Sequence, residues 1–301
     1  MLFRGQLINP FGNVARAHYW RCIVVKNIFS VLKAKKARDL GCKRIAAVGY
    51  PKTGNTWTRI MLGHYIQSLY QLQEIPLFED SVQDEQDIIY EKSSLDVFFT
   101  HSPLMWVNQV ADDLTYNNVI QPYQQKKVVL LVRHPLDTLV SSFMHSKYKI
   151  TDNPYKGNLI QFINDPVMGL DKYFRFYQLW NDHKSDVADI LIWKYEDLKT
   201  KPIEHLLRLI AYIGEPVLNN YITDAIKYSE FDNLKNIEKA GRNFTYPSSG
   251  FDVFGETDHS KPETFHVRRG VVGGYKDYID ISDLRYLEGR IKHEMPPLYK
   301  Y

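Results

Sequence analysis

The residues Gly49-Tyr50-Pro51-Lys52-Thr53-Gly54-Asn55-Thr56-Trp57 join an apolar strand-like run, Arg44 to Val48, to an apolar helix-like run, Arg59 to Tyr70. Such a junction aims several backbone N–H groups and a helix N-terminus at one point, which is an anion-binding geometry. The glycine spacing matches the first part of a Walker-type loop. Asn55-Thr56, however, stands where Lys-Ser or Lys-Thr would follow Gly54, and the lysine, Lys52, sits inside the loop. A nucleoside-triphosphate enzyme uses the Walker lysine on the β/γ-phosphates and the next hydroxyl on magnesium. With Lys52 placed earlier, the loop fits a shorter phosphate arm and a metal-free transfer.

Two more basic segments and one histidine extend this pattern. Lys127 to Val132 reads as a buried strand, and Arg133-His134-Pro135-Leu136-Asp137 ends it and starts a helix that carries Ser141. Arg133 and Ser141 can then approach one anion from a strand end and a helix turn. Arg268-Arg269-Gly270-Val271-Val272-Gly273-Gly274 places two guanidinium forks beside glycines that permit close backbone approach. Taken separately, each cluster reads more readily as a solvated or salt-bridged surface. His101, in Phe98-Phe99-Thr100-His101-Ser102-Pro103, follows an apolar strand and precedes a proline, where a neutral imidazole can accept a proton. His64, His134 and His145 read as packing, capping or surface residues.

The elements that must hold these groups alternate between strand and helix. Strands are expected at 44–48, 97–100, 127–132 and 189–194, and helices at 56–70, 137–147, 169–184 and 202–213. That order predicts an α/β fold with a mostly parallel central sheet flanked by helices. Ligands of such sheets bind beyond the carboxyl ends of the strands, just where Lys52, His101, Arg133 and Tyr195 fall. The stretch 236–267, rich in Gly, Pro, Ser, Asp and His, reads as a long lid-like loop.

At 301 residues the chain fits one domain, 1–301, and its net charge of +3 carries no general nucleic-acid footprint. Cys22 and Cys42 are its only cysteines, without metal-ligand spacing, which points to a reduced, cytoplasmic compartment. No signal peptide is expected, because Arg4, Asn9 and Arg16 interrupt any apolar core. Tyr19 to Leu32 is broken by Arg21 and Lys26 and falls short of the roughly 20 residues that a membrane span needs. The basic run Lys33 to Arg38 reads as the solvated end of a docking helix, or as part of a basic amphipathic helix on anionic lipid.

On these three motifs, in this order over residues 44 to 276, the chain resembles the sulfotransferases that use 3′-phosphoadenosine 5′-phosphosulfate (PAPS) and release adenosine 3′,5′-bisphosphate (PAP). The resemblance implies a P-loop NTPase-like fold in which Lys52, Thr53, Gly54, Asn55, Thr56 and Trp57 form the 5′-phosphosulfate loop. Arg133, Ser141, Arg268, Arg269 and Gly270 are similar to the 3′-phosphate residues, although Gly274-Tyr275 stands where the family commonly has Asp-Trp. Tyr195, Ser229, Phe231 and Leu234 would surround the adenine. His101 matches the family's catalytic histidine, with Phe99 in place of the motif's lysine, which leaves Lys52 as the main cation near the leaving group. The family's short dimer motif is altered at Lys276, Asp280-Ile281 and Arg285, so a monomer, or a dimer not built on 276–285, is expected.

The expected chemistry is in-line transfer of a sulfuryl group to a hydroxyl or amine of a small-molecule acceptor. No aspartate stands as an evident Walker-B metal ligand, so no metal is expected. The acidic stretch from Glu74 to Glu91, which includes Glu79, Asp80, Asp84, Glu85 and Asp87, reads as a solvated face. Read instead as an electrostatic funnel, it suits a cationic acceptor such as a saxitoxin-like guanidinium compound. A P-loop kinase and a non-catalytic nucleotide-binding protein are the alternative readings of the same loops.

Overall fold

Four aliphatic runs build the sheet: β1 (Lys43–Gly49), β2 (Leu95–Thr100), β3 (Lys127–Val132) and β4 (Asp189–Lys194). They pair in the order β2-β1-β3-β4, and every pairing is parallel. A computed structural model describes residues 43–76, 78, 95–101, 109–150, 154–240, 262–265 and 267–299. Cys22, Cys42, the 19–38 segment, most of the acidic stretch and residues 241–261 lie outside them.

The register explains why the site residues converge. Val48 faces Thr100, Gly49 faces Leu131 and Val132 faces Lys194, so the four strands finish along one sheet edge. The next residues in the chain are Tyr50, His101, Arg133 and Tyr195.

The described helices are α1 (Asn55–Tyr70), α2 (Tyr116–Val119), α3 (Pro135–Tyr148), α4 (Leu159–Ile163), α5 (Leu170–Asp182), α6 (Tyr195–Thr200), α7 (Pro202–Ile213), α8 (Asn219–Tyr228), α9 (Phe231–Lys239) and α10 (Ile281–Glu294). Alternate strand residues bury on opposite faces. Ile45, Ala47, Val129 and Leu131 pack with Met61, Leu62 and Tyr65 of α1 and Leu206, Leu209 and Ile210 of α7. Ala46, Val48, Val128, Leu130 and Val132 pack with Leu139 and Phe143 of α3 and Tyr173, Phe176 and Trp180 of α5. Strands covered on both faces read as continuous apolar runs, which is why they were visible without alternation.

β3, β4 and α7 have the bounds expected from the sequence, and α7 carries Pro202 at its start and a left-handed Gly214 cap (φ 87°) at its end. The 236–267 loop reading is corrected at its start, because α9 runs on to Lys239. Its Lys-Asn-Ile-Glu-Lys residues support a helix locally, but the polar composition averaged over the longer window hid them. Helices α8 and α10 were also missed, since each buries only two residues on the core side: Ile222 and Ala225, and Leu284 and Leu287.

Candidate active site

The loop after β1 is closed by its own hydroxyl: the Thr53 Oγ1 donates to the Tyr50 carbonyl at 2.7 Å, and the Thr53 N–H reaches the same oxygen at 3.3 Å. Thr53 therefore supplies shape, with its hydroxyl already used. Lys52 adopts φ 73° and Gly54 φ 100°, left-handed conformations that turn the following N–H groups of α1 toward one point. A Cβ on Gly54 would also lie 2.8 Å from the Tyr195 ring. Gly54→Ala is therefore expected to abolish nucleotide binding at the loop while the sheet still folds. Isothermal titration with PAP, alongside circular dichroism, checks this.

Lys52, Ser141, His145 and Arg268 line one cleft together with Met144, Glu263 and Phe265. Burial, then the Arg133 guanidinium, lowers the Lys52 ammonium to about 8, and the Glu238 carboxylate partly opposes this. Burial likewise lowers Arg268, whose Nη1 donates to the Tyr278 hydroxyl at 2.6 Å. Arg133 donates from Nη1 to the Lys52 carbonyl at 3.1 Å and lies 4.3 Å over the Tyr195 ring, while its buried Nε has no hydrogen-bond partner among the described residues. Cations brought out of water against one another mark a place prepared for an anion.

Arg268 and Arg269 part company. Both guanidinium groups lie over the Tyr278 ring, at 5.3 and 5.6 Å, but Arg269 pairs with Asp277 at 2.6 Å and keeps 36% of its side-chain surface exposed, whereas Arg268 lines the cleft. Gly270 follows with φ 61°, and the Phe231 ring approaches so closely that a Cβ there would sit 2.6 Å from it. The late segment is anchored by Asp137, which accepts from the Gly273 and Tyr275 N–H groups at 2.7 and 3.0 Å. His134 stacks on Tyr275 with centroids 4.5 Å apart and planes 2° from parallel, a packing role.

Three of the four residues assigned to the adenine, Tyr195, Ser229 and Leu234, meet around Trp57, and the fourth, Phe231, lies against Gly270. Trp57 donates from Nε1 to the Ser229 carbonyl at 2.8 Å, meets Tyr195 edge-on at 5.3 Å and carries Lys199 4.9 Å above its ring. Leu234 packs in one cluster with Ile60, Trp57 and Tyr228. The Ser229 hydroxyl is spent on the Ile226 carbonyl, so Ser229 contributes its backbone and bulk. Thr56, half-buried in the first turn of α1, completes the loop.

His101 ends β2 beside β1. Its Nδ1 lies 2.8 Å from the Gly49 carbonyl oxygen and its Nε2 lies 3.2 Å from Asn55 Nδ2. Burial, with Lys52 and Arg59 adding to it, lowers the imidazole to about 4, below the 6.5 expected of an unperturbed ring. The ring is neutral at pH 7 and able to accept a proton. His134 is lowered to about 4 as well, chiefly by burial. Both stay neutral in the fold while the unfolded chain protonates, so the stability they confer is present above about pH 6.5 and is lost as pH falls toward 4. Urea titrations at pH 7.5, 6.0 and 4.5 should show this loss, and it should shrink in His134→Phe.

Sequence reading missed the pair of Lys149 and Glu238, both buried, 4.0 Å apart. Glu238 also accepts from the Val267 N–H at 2.9 Å, one residue before Arg268. Each is an ordinary charge in a polar helix by sequence, and only the packing of α9 against the end of α3 brings them together.

Comparison with known proteins bears on the family and the fold. A family model described as "Sulfotransferase domain" matches residues 43–297. Cytosolic sulfotransferase 17 of Arabidopsis thaliana is 22% identical, over 92% of this chain and 80% of the relative. Human sulfotransferase 2A1 is 22% identical, over 88% of this chain and 89% of its own. The fold is shared with mouse sulfotransferase SULT7A1 complexed with PAP (TM-score 0.54, 20% identity, 85% of each chain). It is also shared with a retinol dehydratase in complex with androsterone and inactive cofactor PAP (TM-score 0.57, 16% identity, 83% of this chain and 80% of that one). Among the described residues no helix is long and apolar enough to cross a membrane. Because the family match takes in all four strands, the loop at Lys52, the Arg133 to Ser141 turn and the Arg268 segment, the chain belongs to the sulfotransferase domain family.

Proposed function

We propose that this protein transfers a sulfuryl group from PAPS to a hydroxyl or amine of a small-molecule acceptor, without a metal and with His101 as general base. The observation that carries the reading is a small pocket lined by Lys52, Ser141 and Arg268, with Arg133 bonded to the same loop and the neutral His101 ring in contact with Gly49 and Asn55 at the loop's two ends. The residues fit the donor. The depressed Lys52 ammonium and the unpartnered Arg133 Nε are what an anion would relieve. Lys52 and the loop N–H groups would hold the departing 5′-phosphate, and Arg133, Ser141, Arg268 and Gly270 the 3′-phosphate, to which Arg269, assigned there by sequence but paired with Asp277, would add little. Thr56 adds a hydroxyl, and Trp57, Tyr195, Ser229, Phe231 and Leu234 wall the adenine.

In the reaction the acceptor oxygen or nitrogen forms its bond to sulfur as the bridging S–O bond breaks. His101 takes the acceptor proton, and the electron pair of the broken bond leaves on the phosphate beside Lys52. Radiolabelled PAPS, incubated in EDTA with amines, phenols, sugars and guanidinium compounds, tests this. Label transfer supports it, phosphate transfer from ATP only with magnesium replaces it with a kinase, and PAP binding without any transfer replaces it with a sensor.

Because Lys52 is lowered to about 8, donor affinity in the free enzyme is expected to fall as pH rises through 8 to 9. A donor KM that stays flat to pH 9.5 counts against Lys52 as a phosphate ligand. The acidic stretch around Glu79 and Asp80 suits a cationic acceptor, including saxitoxin-like guanidinium compounds. Glu79→Lys with Asp80→Lys should then raise the acceptor KM at low salt far more than the donor KM. We further propose a single cytoplasmic domain that does not dimerise through 276–285. Asp277 and Tyr278 of that segment are engaged internally by Arg269 and Arg268, which supports this. Light scattering after gel filtration tests it, and a dimer abolished by substitutions in 276–285 would refute it.

A further inference from the structure

Asn55 is the first residue of α1, directly after the left-handed Gly54, so its backbone belongs to the anion-binding turn while its side chain reaches the end of β2. There the Nδ2 group lies 3.2 Å from His101 Nε2, and on the other side of the ring Nδ1 lies 2.8 Å from the Gly49 carbonyl oxygen. A carbonyl oxygen only accepts. Nδ1 therefore carries the proton of the neutral ring, Nε2 keeps the lone pair, and the Asn55 amide N–H donates to it. The other amide atom, Oδ1, is buried and makes no hydrogen bond among the described residues. Leaving a buried acceptor without a donor is costly, and such atoms in native folds call for an explanation.

The reaction supplies one. When His101 takes the acceptor proton, Nε2 changes from acceptor to donor, and the Nδ2 group that suited it becomes the wrong partner. We infer that Asn55 is a positioning residue serving both protonation states of the base: its amide N–H holds the Nε2 lone pair of the neutral ring until the acceptor's O–H or N–H takes that place, and a half-turn about Cβ–Cγ brings Oδ1 onto the Nε2–H of the imidazolium as the sulfated product leaves. One proton moves, from the acceptor to Nε2, and Nδ1 keeps its own. The charged groups that act on the ring are Lys52 from the loop and Arg59 from α1, both of which disfavour the imidazolium; the Gly49 carbonyl favours it. A polar acceptor that turns in only when the ring becomes charged lowers the cost of that charge without protonating the base beforehand.

This rests on His101 being the base, yet it can be read without turnover. The His101 titration is followed by 15N NMR of the imidazole in the donor-free full chain. Asn55→Asp, which can only accept, should raise its midpoint by about 1–3 pH units. Asn55→Ala should leave the midpoint at or below that of the wild type, because it removes the partner of both states. At saturating donor and acceptor the alanine variant should lose about 10–100-fold in kcat, and Asn55→Ser, whose hydroxyl donates or accepts, should recover part of that loss. A midpoint that rises in Asn55→Ala shows an amide that only donates to the neutral ring and overturns the inference, as does an unmoved midpoint in Asn55→Asp. If His101→Ala keeps full turnover, the base reading fails, while the titrations still decide whether Asn55 serves both states of the ring.

Discussion

Alanine at position 101 is expected to reduce turnover by about 10²–10⁴-fold while donor affinity changes little, since proton removal is required only as the acceptor attacks. The structure sharpens the pH dependence that accompanies it. A ring at the unperturbed value would give an acid limb near 6.5, but burial lowers His101 to about 4, so wild-type activity should hold through pH 6 and 5 and fall only below that. The measurement is kcat against pH with a hydroxyl acceptor, because an amine acceptor would add a limb of its own. Near-normal turnover in a folded, donor-binding alanine variant would assign the base elsewhere.

The second large effect separates two neighbouring arginines. Arg268 lines the cleft with Lys52 and Ser141 and is lowered by burial, so Arg268→Ala should weaken PAP binding by about 2–4 kcal/mol, the scale for removing a desolvated charge partner. Arg269 is paired with Asp277 and partly exposed, and Arg269→Ala should cost about 1 kcal/mol or less, the scale of an exposed ion pair. Titration calorimetry with PAP and with an analogue lacking the 3′-phosphate measures both. The Arg268 loss should largely vanish with the analogue. Equal losses for the two arginines would show that the Asp277 pair opens to let both reach the phosphate.

What the sequence revealed and what it hid have the same origin. Strands buried on both faces are continuous aliphatic runs, so β3 and β4 could be bounded to the residue, and with them Arg133 and Tyr195 at their ends. The turn at Lys52 and Gly54 was legible because a strand-to-helix loop is local, its backbone conformation lying within a few residues. By contrast, that Arg268 lines the cleft while Arg269 pairs with Asp277 depends on tertiary packing, and no short-range pattern reports that. Contacts such as Asn55 with His101 and Lys149 with Glu238 join positions 46 and 89 residues apart. Their residue types are unremarkable in sequence and acquire meaning only through strand order and helix packing.

The two hydrogen bonds from Gly273 and Tyr275 to Asp137 span 136 and 138 residues of chain. Closing a loop of that length is entropically expensive before its contacts can compensate, so such contacts form late in folding. The segment that carries Arg268 should then dock after the sheet has assembled, and recovery of PAP binding should lag behind recovery of helical circular dichroism in refolding. A chain still being synthesised would be unable to retain its nucleotide until residues 268–275 had emerged, and Asp137→Ala should lengthen that lag more than it disturbs the sheet.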